Sequence, residues 1–81
     1  MIQNVSKGVI LLRQKLIEER MKKNLTQKQV ADKLGISEVF VRKIEKKLRN
    51  PGRETMLKFE KLYKVSDREL FPDLFFISDD T

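Results

Sequence analysis

The stretch of residues 25–50 constrains the fold of this chain most strongly. It contains two short helical patterns that are separated by a single glycine, Gly35. In the first pattern Val30, Ala31 and Leu34 have the spacing of a buried stripe on a helix of two to three turns. Glycine adopts the left-handed conformation that ends a helix without a Cβ penalty. The stretch therefore predicts two short helices joined by a tight turn.

Polar residues mark where both helices begin. Thr26 and Gln29 have the spacing of a capping box at the start of the first pattern. Ser37 is the expected N-cap of the second, which we predict for residues 38–46. Its periodicity divides the residues into an inward pair and an outward group, namely Val41 and Ile44 against Glu38, Val39, Arg42 and Lys43. Phe40 lies between the two faces.

A further helix is predicted before this stretch. Its apolar face recurs every three or four residues and consists of Val9, Leu12, Leu16 and the charged Arg20. We expect Asn4 or Ser6 to cap its start and Lys23 to lie near its end.

Two more helices are predicted after a loop of residues 46–52. The fourth covers Arg53–Tyr63 and has a broad apolar side, which consists of Met56, Leu57, Phe59, Leu62 and Tyr63. Ser66 is the expected cap of a short fifth helix of residues 67–71, and Pro72 is expected to end it. The sequence thus predicts one all-α domain of residues 1–71 and a tail of residues 72–81.

The charge of the chain is unevenly distributed. Through Val65 there are 17 Lys or Arg against 7 Asp or Glu, a net charge of +10, whereas the remainder carries −4. A basic body suits a partner with phosphates, although a solvated surface is an alternative explanation.

The composition argues against several classes of protein. No cysteine and no histidine are present, and there is no glycine-rich phosphate loop, so we expect no enzyme, metal or cofactor. There is no apolar run long enough for a membrane span, and residues 9–12 are too few for a signal-peptide core. A membrane-surface role for the basic first helix is disfavoured because the core needs its apolar stripe. We therefore expect a cytoplasmic protein.

Three segments together resemble the lambda-repressor-like family of helix-turn-helix domains, the Xre or Cro type. They are LTQKQVADKLGIS, VRKIEKKLRNP and ETMLKFEKLYKVSDRELF, within residues 12–71. The resemblance implies a five-helix domain whose second and third helices form the helix-turn-helix, with the third in the major groove of DNA.

The resemblance also implies roles for individual residues. Base-reading positions would be Ser37, Glu38, Val39, Arg42 and Lys43. Phosphate contacts would come from Gln27, Lys28, Lys46, Lys47, Arg49 and Asn50. Arg and Lys donate to guanine, Glu accepts from cytosine and Val meets the thymine methyl, so these types suit a site with G·C pairs and a thymine. Two alternatives stay open: Glu38 could instead stabilise the helix dipole or pair with Arg42, and Val39 could be partly buried.

Other family positions are expected to be structural. Arg20 and Glu45 would form an ion pair between the first and third helices. Lys47 and Lys64 stand where the family usually has a left-handed glycine, and Glu60 replaces a small apolar residue, which puts the packing of the fourth helix on the first in question.

The function that the resemblance implies is sequence-specific binding of double-stranded DNA as a transcriptional regulator. We expect a repressor that binds a palindromic operator as a homodimer. Its small size is compatible with a bacterial or phage repressor. The dimer surface could be the exposed part of the fourth and fifth helices or the apolar tail, which contains Leu74, Phe75 and Phe76. Phe75 and Phe76 could equally fold back over the bundle. The alternative is a protein-interaction module of the same fold, antitoxin-like or anti-regulator, that binds a protein partner through this tail.

Overall fold

The structure is a computed structural model that describes residues 12–75, and in this part of the chain every regular element is a helix. The helices are α1 (Gln14–Lys22), α2 (Gln27–Leu34), α3 (Glu38–Glu45), α4 (Arg53–Tyr63), α5 (Asp67–Leu70) and α6 (Pro72–Phe75). The predicted all-α fold is confirmed, with α6 as a short addition. None of these helices has the length and hydropathy needed to cross a membrane.

The helix boundaries of α2 and α3 follow from the predicted caps. The Thr26 side chain accepts from the Gln29 N–H while the Gln29 side chain accepts from the Thr26 N–H, which completes the capping box. Gly35 then ends α2 in the left-handed conformation, with φ of 72°. The Ser37 hydroxyl caps α3 by accepting from the Phe40 N–H at 3.0 Å. These three local signals set where α2 begins, where it ends and where α3 begins.

The core lies where α2 and α3 meet α1, α4 and α5. Its fully or nearly fully buried members are Leu16, Val30, Ala31, Leu34, Val41, Ile44, Phe59, Tyr63, Leu70 and Phe71. The aromatic rings pack on one another, since Phe59 lies edge-on to Phe71 at 5.7 Å and tilted to Tyr63 at 6.0 Å. The inward residues predicted for α2 and α3 are all in this core.

The start of the first helix differs from the prediction. The expected caps Asn4 and Ser6 lie outside the described residues, as does Val9 on the predicted apolar face. Among the described residues, α1 begins at Gln14. Leu12 precedes the helix and is 39% exposed, so it does not belong to the buried stripe. The physical reason is that the backbone N–H of Arg13 donates to the Glu45 carbonyl at 2.8 Å, which ties residue 13 to α3 instead.

The end of the bundle also needs correction. Helix α5 stops at Leu70, and Pro72 does not simply end a helix but occupies the first position of α6. Proline suits that position because the first helical N–H has no partner within the helix. Leu57, predicted on the apolar side of α4, is 40% exposed.

Two lysines adopt the backbone conformation expected of glycine. Lys47 has φ of 62° and Lys64 has φ of 57°, as their positions in the family pattern predicted. A left-handed non-glycine residue costs about 1 to 2 kcal/mol, so both helix ends are less stable than a glycine would make them. At Lys64 the N–H still donates to the Glu60 carbonyl at 2.7 Å, which closes α4.

Candidate nucleic-acid interface

Helix α3 has a buried face and an exposed face. Val41 and Ile44 are completely buried against the core, while Val39 on the opposite side is 47% exposed. The structure brings the predicted base-reading residues together on or beside this outer face: Ser37, Glu38, Val39 and Lys43 are exposed, and Arg42 is half-buried. The buried side chains thus fix α3 against the core, and the outer face presents both charged and apolar groups to solvent.

Glu38 is in the first turn of α3, where the helix dipole favours an acidic side chain. Within residues 12–75 no ion pair joins Glu38 to Arg42, so the alternative that these two side chains pair is not observed. The exposure of Val39 likewise disfavours the alternative that it is a partly buried packing residue.

The segment after α3, residues 46–50, adds positive charge beside this face. Lys46, Arg49 and Asn50 are exposed and Lys47 is half-buried. The Arg49 guanidinium lies over the Phe40 ring at 5.6 Å, a cation–π distance that limits where this long side chain moves. A shallow depression joins the segment to α3 and is lined by Ile36, Ser37, Val39, Phe40, Lys43 and Arg49.

The two predicted phosphate contacts at the start of α2 differ in their surroundings. The Gln27 amide is half-buried and donates to Glu45 Oε1 at 2.9 Å, so this side chain is already engaged inside the protein. Lys28 is exposed, with Asp32 one turn away at 3.7 Å. Such an exposed ion pair holds a side chain weakly, so Lys28 remains able to reach a ligand.

Arg20 and Glu45 join α1 to the last residue of α3. Arg20 Nε donates to Glu45 Oε2 at 2.7 Å, and a second guanidinium nitrogen donates to Oε1 at 3.1 Å. The ion pair is therefore bidentate, and the Glu45 side chain is only 3% exposed. Burial, reinforced by the Glu45 charge, raises the pKa of the nearby Tyr63 phenol above its ordinary value of 10.0. The Tyr63 hydroxyl has no hydrogen-bond partner among the described residues.

Arg13 is the residue that sequence reasoning missed. Its side chain is 1% exposed, and its guanidinium contacts α3, the segment of residues 46–50 and α6. The partners lie 31 to 60 residues away along the chain, so neither periodicity nor capping rules reveal them. The only local signal was an arginine placed directly before α1, between Leu12 and Leu16 of the predicted apolar face.

A family model for the helix-turn-helix matches residues 16–70 of the chain, from the first turn of α1 to the end of α5. The chain belongs to this helix-turn-helix family, the lambda-repressor-like Xre and Cro type. The predicted resemblance is therefore confirmed. No curated protein and no solved structure matched the chain in the corresponding searches.

Membership of this helix-turn-helix family implies DNA binding and transcriptional regulation. The family is not enzymatic, which confirms the prediction that the chain is no enzyme. The matched range contains both helices of the motif and the whole outer face of α3. The family thus supplies the general function, and the geometry of this face suggests how it is carried out.

Proposed function

We propose that this helix-turn-helix protein is a sequence-specific repressor that inserts α3 into the major groove of double-stranded DNA. The observation that carries the proposal is the two-sided character of α3. Completely buried Val41 and Ile44 fix the helix, while Glu38, Val39 and Lys43 are exposed on its other side. A rigid helix with an outward polar face is what major-groove reading requires.

The residues of the proposed interface divide into two groups by their chemistry. Ser37, Glu38, Val39, Arg42 and Lys43 would meet base edges, where each well-placed pair contributes about 1 to 3 kcal/mol of discrimination. The phosphates would be held by Gln27, Lys28, Lys46, Lys47, Arg49 and Asn50. For Gln27 the backbone N–H at the start of α2 is the better candidate, since its side chain is bonded to Glu45.

We further propose that the protein binds a palindromic operator as a homodimer. One short helix reads only a few base pairs, and proteins of this kind combine two half-sites about one helical turn, roughly 34 Å, apart. Leu57 on α4 supports a dimer surface on the fourth helix, because a large apolar side chain is 40% exposed there.

The protein-interaction module has less support than DNA binding. Leu74 packs partly buried against the core, and the Arg68 guanidinium lies over the Phe75 ring at 5.1 Å. Both apolar side chains of the tail thus pack within the domain, which favours a tail that folds back over the bundle and not one that binds a partner. Phe76 lies outside the described residues.

Two alanine variants test the assignment of the reading face. Lys43→Ala should weaken binding to the preferred operator by about 1 to 3 kcal/mol and relax the preference at one base pair. Arg49→Ala should weaken binding to all sequences alike and reduce the salt slope of binding by about one. Fluorescence titrations of matched and single-mismatch duplexes over a range of salt concentrations measure both effects. If Lys43→Ala leaves the base preference unchanged, α3 does not read DNA through this face.

A further inference from the structure

Arg13 uses its whole donor capacity inside the protein. The arginine side chain has five N–H donors, and each of the three nitrogens of Arg13 is engaged. One terminal nitrogen donates to the carbonyls of Ile44 at 2.8 Å and Arg49 at 3.0 Å. The other donates to Asn50 Oδ1 and to Asp73 Oδ2, both at 2.8 Å, and Nε donates to Asp73 Oδ1 at 3.1 Å. This guanidinium is therefore a junction among three parts of the fold.

The junction completes the end of α3. The last carbonyls of a helix have no partner within it. Here the carbonyl of Ile44 accepts from the Arg13 guanidinium and that of Glu45 accepts from the Arg13 backbone N–H at 2.8 Å. A positive charge at this end also complements the helix dipole. Arg13 thus adds to the backbone N–H groups of Lys47 and Leu48, which already close the end of α3.

The segment that Arg13 holds is the cationic one. The Arg49 carbonyl and the Asn50 side chain both accept from Arg13, which fixes residues 49 and 50 relative to α3. The Arg49 side chain is then free to lie over Phe40, at the edge of the proposed reading face. A segment held in this way loses little conformational freedom when it meets a phosphate.

Asp73 supplies the countercharge that lets Arg13 be buried. Its carboxylate is one-quarter exposed and accepts two hydrogen bonds from the guanidinium. Burial raises the pKa of Asp73, but the hydrogen bonds and charge of Arg13 outweigh it, so the pKa lies below its ordinary value of 3.8. The carboxylate is therefore ionised at neutral pH, and α6 is tied electrostatically to the cationic segment.

We propose that Arg13 is a positioning residue for DNA binding, which with Asp73 holds residues 49 and 50, the end of the cationic segment, in the geometry that contacts phosphates. This inference rests on the proposed function. It adds that α6, although remote in sequence from the helix-turn-helix, contributes to DNA affinity without contacting DNA. Because Arg13 acts on the backbone segment and not on base-reading side chains, it controls the strength of binding and leaves the preferred sequence unchanged.

Two conservative variants test this role in the full chain. Arg13→Lys keeps the positive charge but removes the planar guanidinium that donates to several acceptors. Asp73→Asn keeps the size of the side chain but removes its negative charge. Each should weaken operator binding about tenfold, the result expected if the segment adopts its binding geometry about one-tenth of the time. The order of preference among single-mismatch duplexes should not change.

Hydrogen exchange separates positioning from general stabilisation. The amide N–H groups of Lys47, Leu48 and Arg49 donate to carbonyls at the end of α3, so they report on this segment directly. In both variants they should exchange faster, while the amide of Val30 in α2 keeps its protection. The matched controls are Arg53→Lys and Asp67→Asn, which alter another Arg–Asp pair that joins α4 to α5 at 3.7 Å. These controls should change neither affinity nor segment exchange by more than about twofold.

Several results would overturn the inference. Equal loss of protection at all amides would make Arg13 a general stabiliser, and unchanged affinity would remove its link to DNA. An altered base preference would place Arg13 in sequence reading. If the unaltered protein binds no duplex at low salt, the proposed function fails and the role in DNA binding fails with it. The exchange measurement would still decide whether Arg13 and Asp73 hold the segment.

Discussion

Replacing Arg20 by methionine removes one partner of the buried ion pair that joins α1 to α3. Glu45 accepts three hydrogen bonds, two from Arg20 and one from Gln27, and its side chain is 3% exposed. In Arg20→Met only the Gln27 bond would remain on a carboxylate that water hardly reaches. Breaking a buried pair in this way costs about 3 to 5 kcal/mol. Because Arg20 itself is 15% exposed, we expect the lower end, about 3 kcal/mol.

That loss is large for a chain of 81 residues, whose total free energy of unfolding should be about 4 to 12 kcal/mol. At about 4 to 8 °C per kcal/mol, the melting temperature should fall by at least roughly 12 °C. Urea unfolding followed by circular dichroism measures the change, provided that the slope of the transition is shared with the unaltered protein.

The control for Arg20→Met is Lys28→Met, which breaks an exposed pair with Asp32 and should cost less than about 0.5 kcal/mol. Arg20→Met/Glu45→Leu removes both charges and should recover most of the lost stability, because no carboxylate is then stranded. A loss below about 1 kcal/mol for Arg20→Met alone would contradict the view that this pair is buried and integral to the fold.

Two further predictions concern single residues of α4 and its end. Tyr63 is the only tyrosine and no tryptophan is present, so absorbance at alkaline pH reports on this phenol alone. Because burial raises the pKa of Tyr63 in the folded protein, stability should fall as pH rises above its ordinary 10.0, and ionisation should coincide with loss of helical circular dichroism. Ionisation while the protein remains helical would refute this. Lys64→Gly should raise the free energy of unfolding by about 1 kcal/mol, because Lys64 has φ of 57° and glycine adopts this conformation without strain. The control Lys61→Gly, within α4, should lower the free energy of unfolding by a similar amount, and urea unfolding measures both.

Sequence predicted best what depends on neighbouring residues. The capping box of Thr26 and Gln29, the left-handed Gly35 and the Ser37 cap are all local arrangements of three or four residues. The buried stripes of α2 and α3 follow directly from helical periodicity, and the bounds of α4 were predicted correctly as Arg53–Tyr63. These features depend on geometry that any short segment carries with it.

Sequence failed where distant parts of the chain decide the structure. Leu12 has the spacing of the α1 stripe, yet residues 12 and 13 are not helical because the Arg13 N–H is bonded to Glu45. Nothing in the local pattern connects Arg13 to Asp73, which is 60 residues away. The half-buried state of Gln27 depends similarly on Glu45, 18 residues further on. Such contacts arise only once the bundle has assembled.

Sequence reading by α3 is tested most directly by selecting duplex DNA from a random pool with the full chain at moderate salt. We expect enrichment of an inverted repeat whose half-sites are about one helical turn apart, with G·C pairs and a thymine in each half. Lys43→Ala should select a motif relaxed at one position in each half-site, whereas Arg49→Ala should select the same motif from fewer bound molecules. Failure to enrich any sequence, despite binding that weakens steeply with salt, would contradict sequence reading by α3.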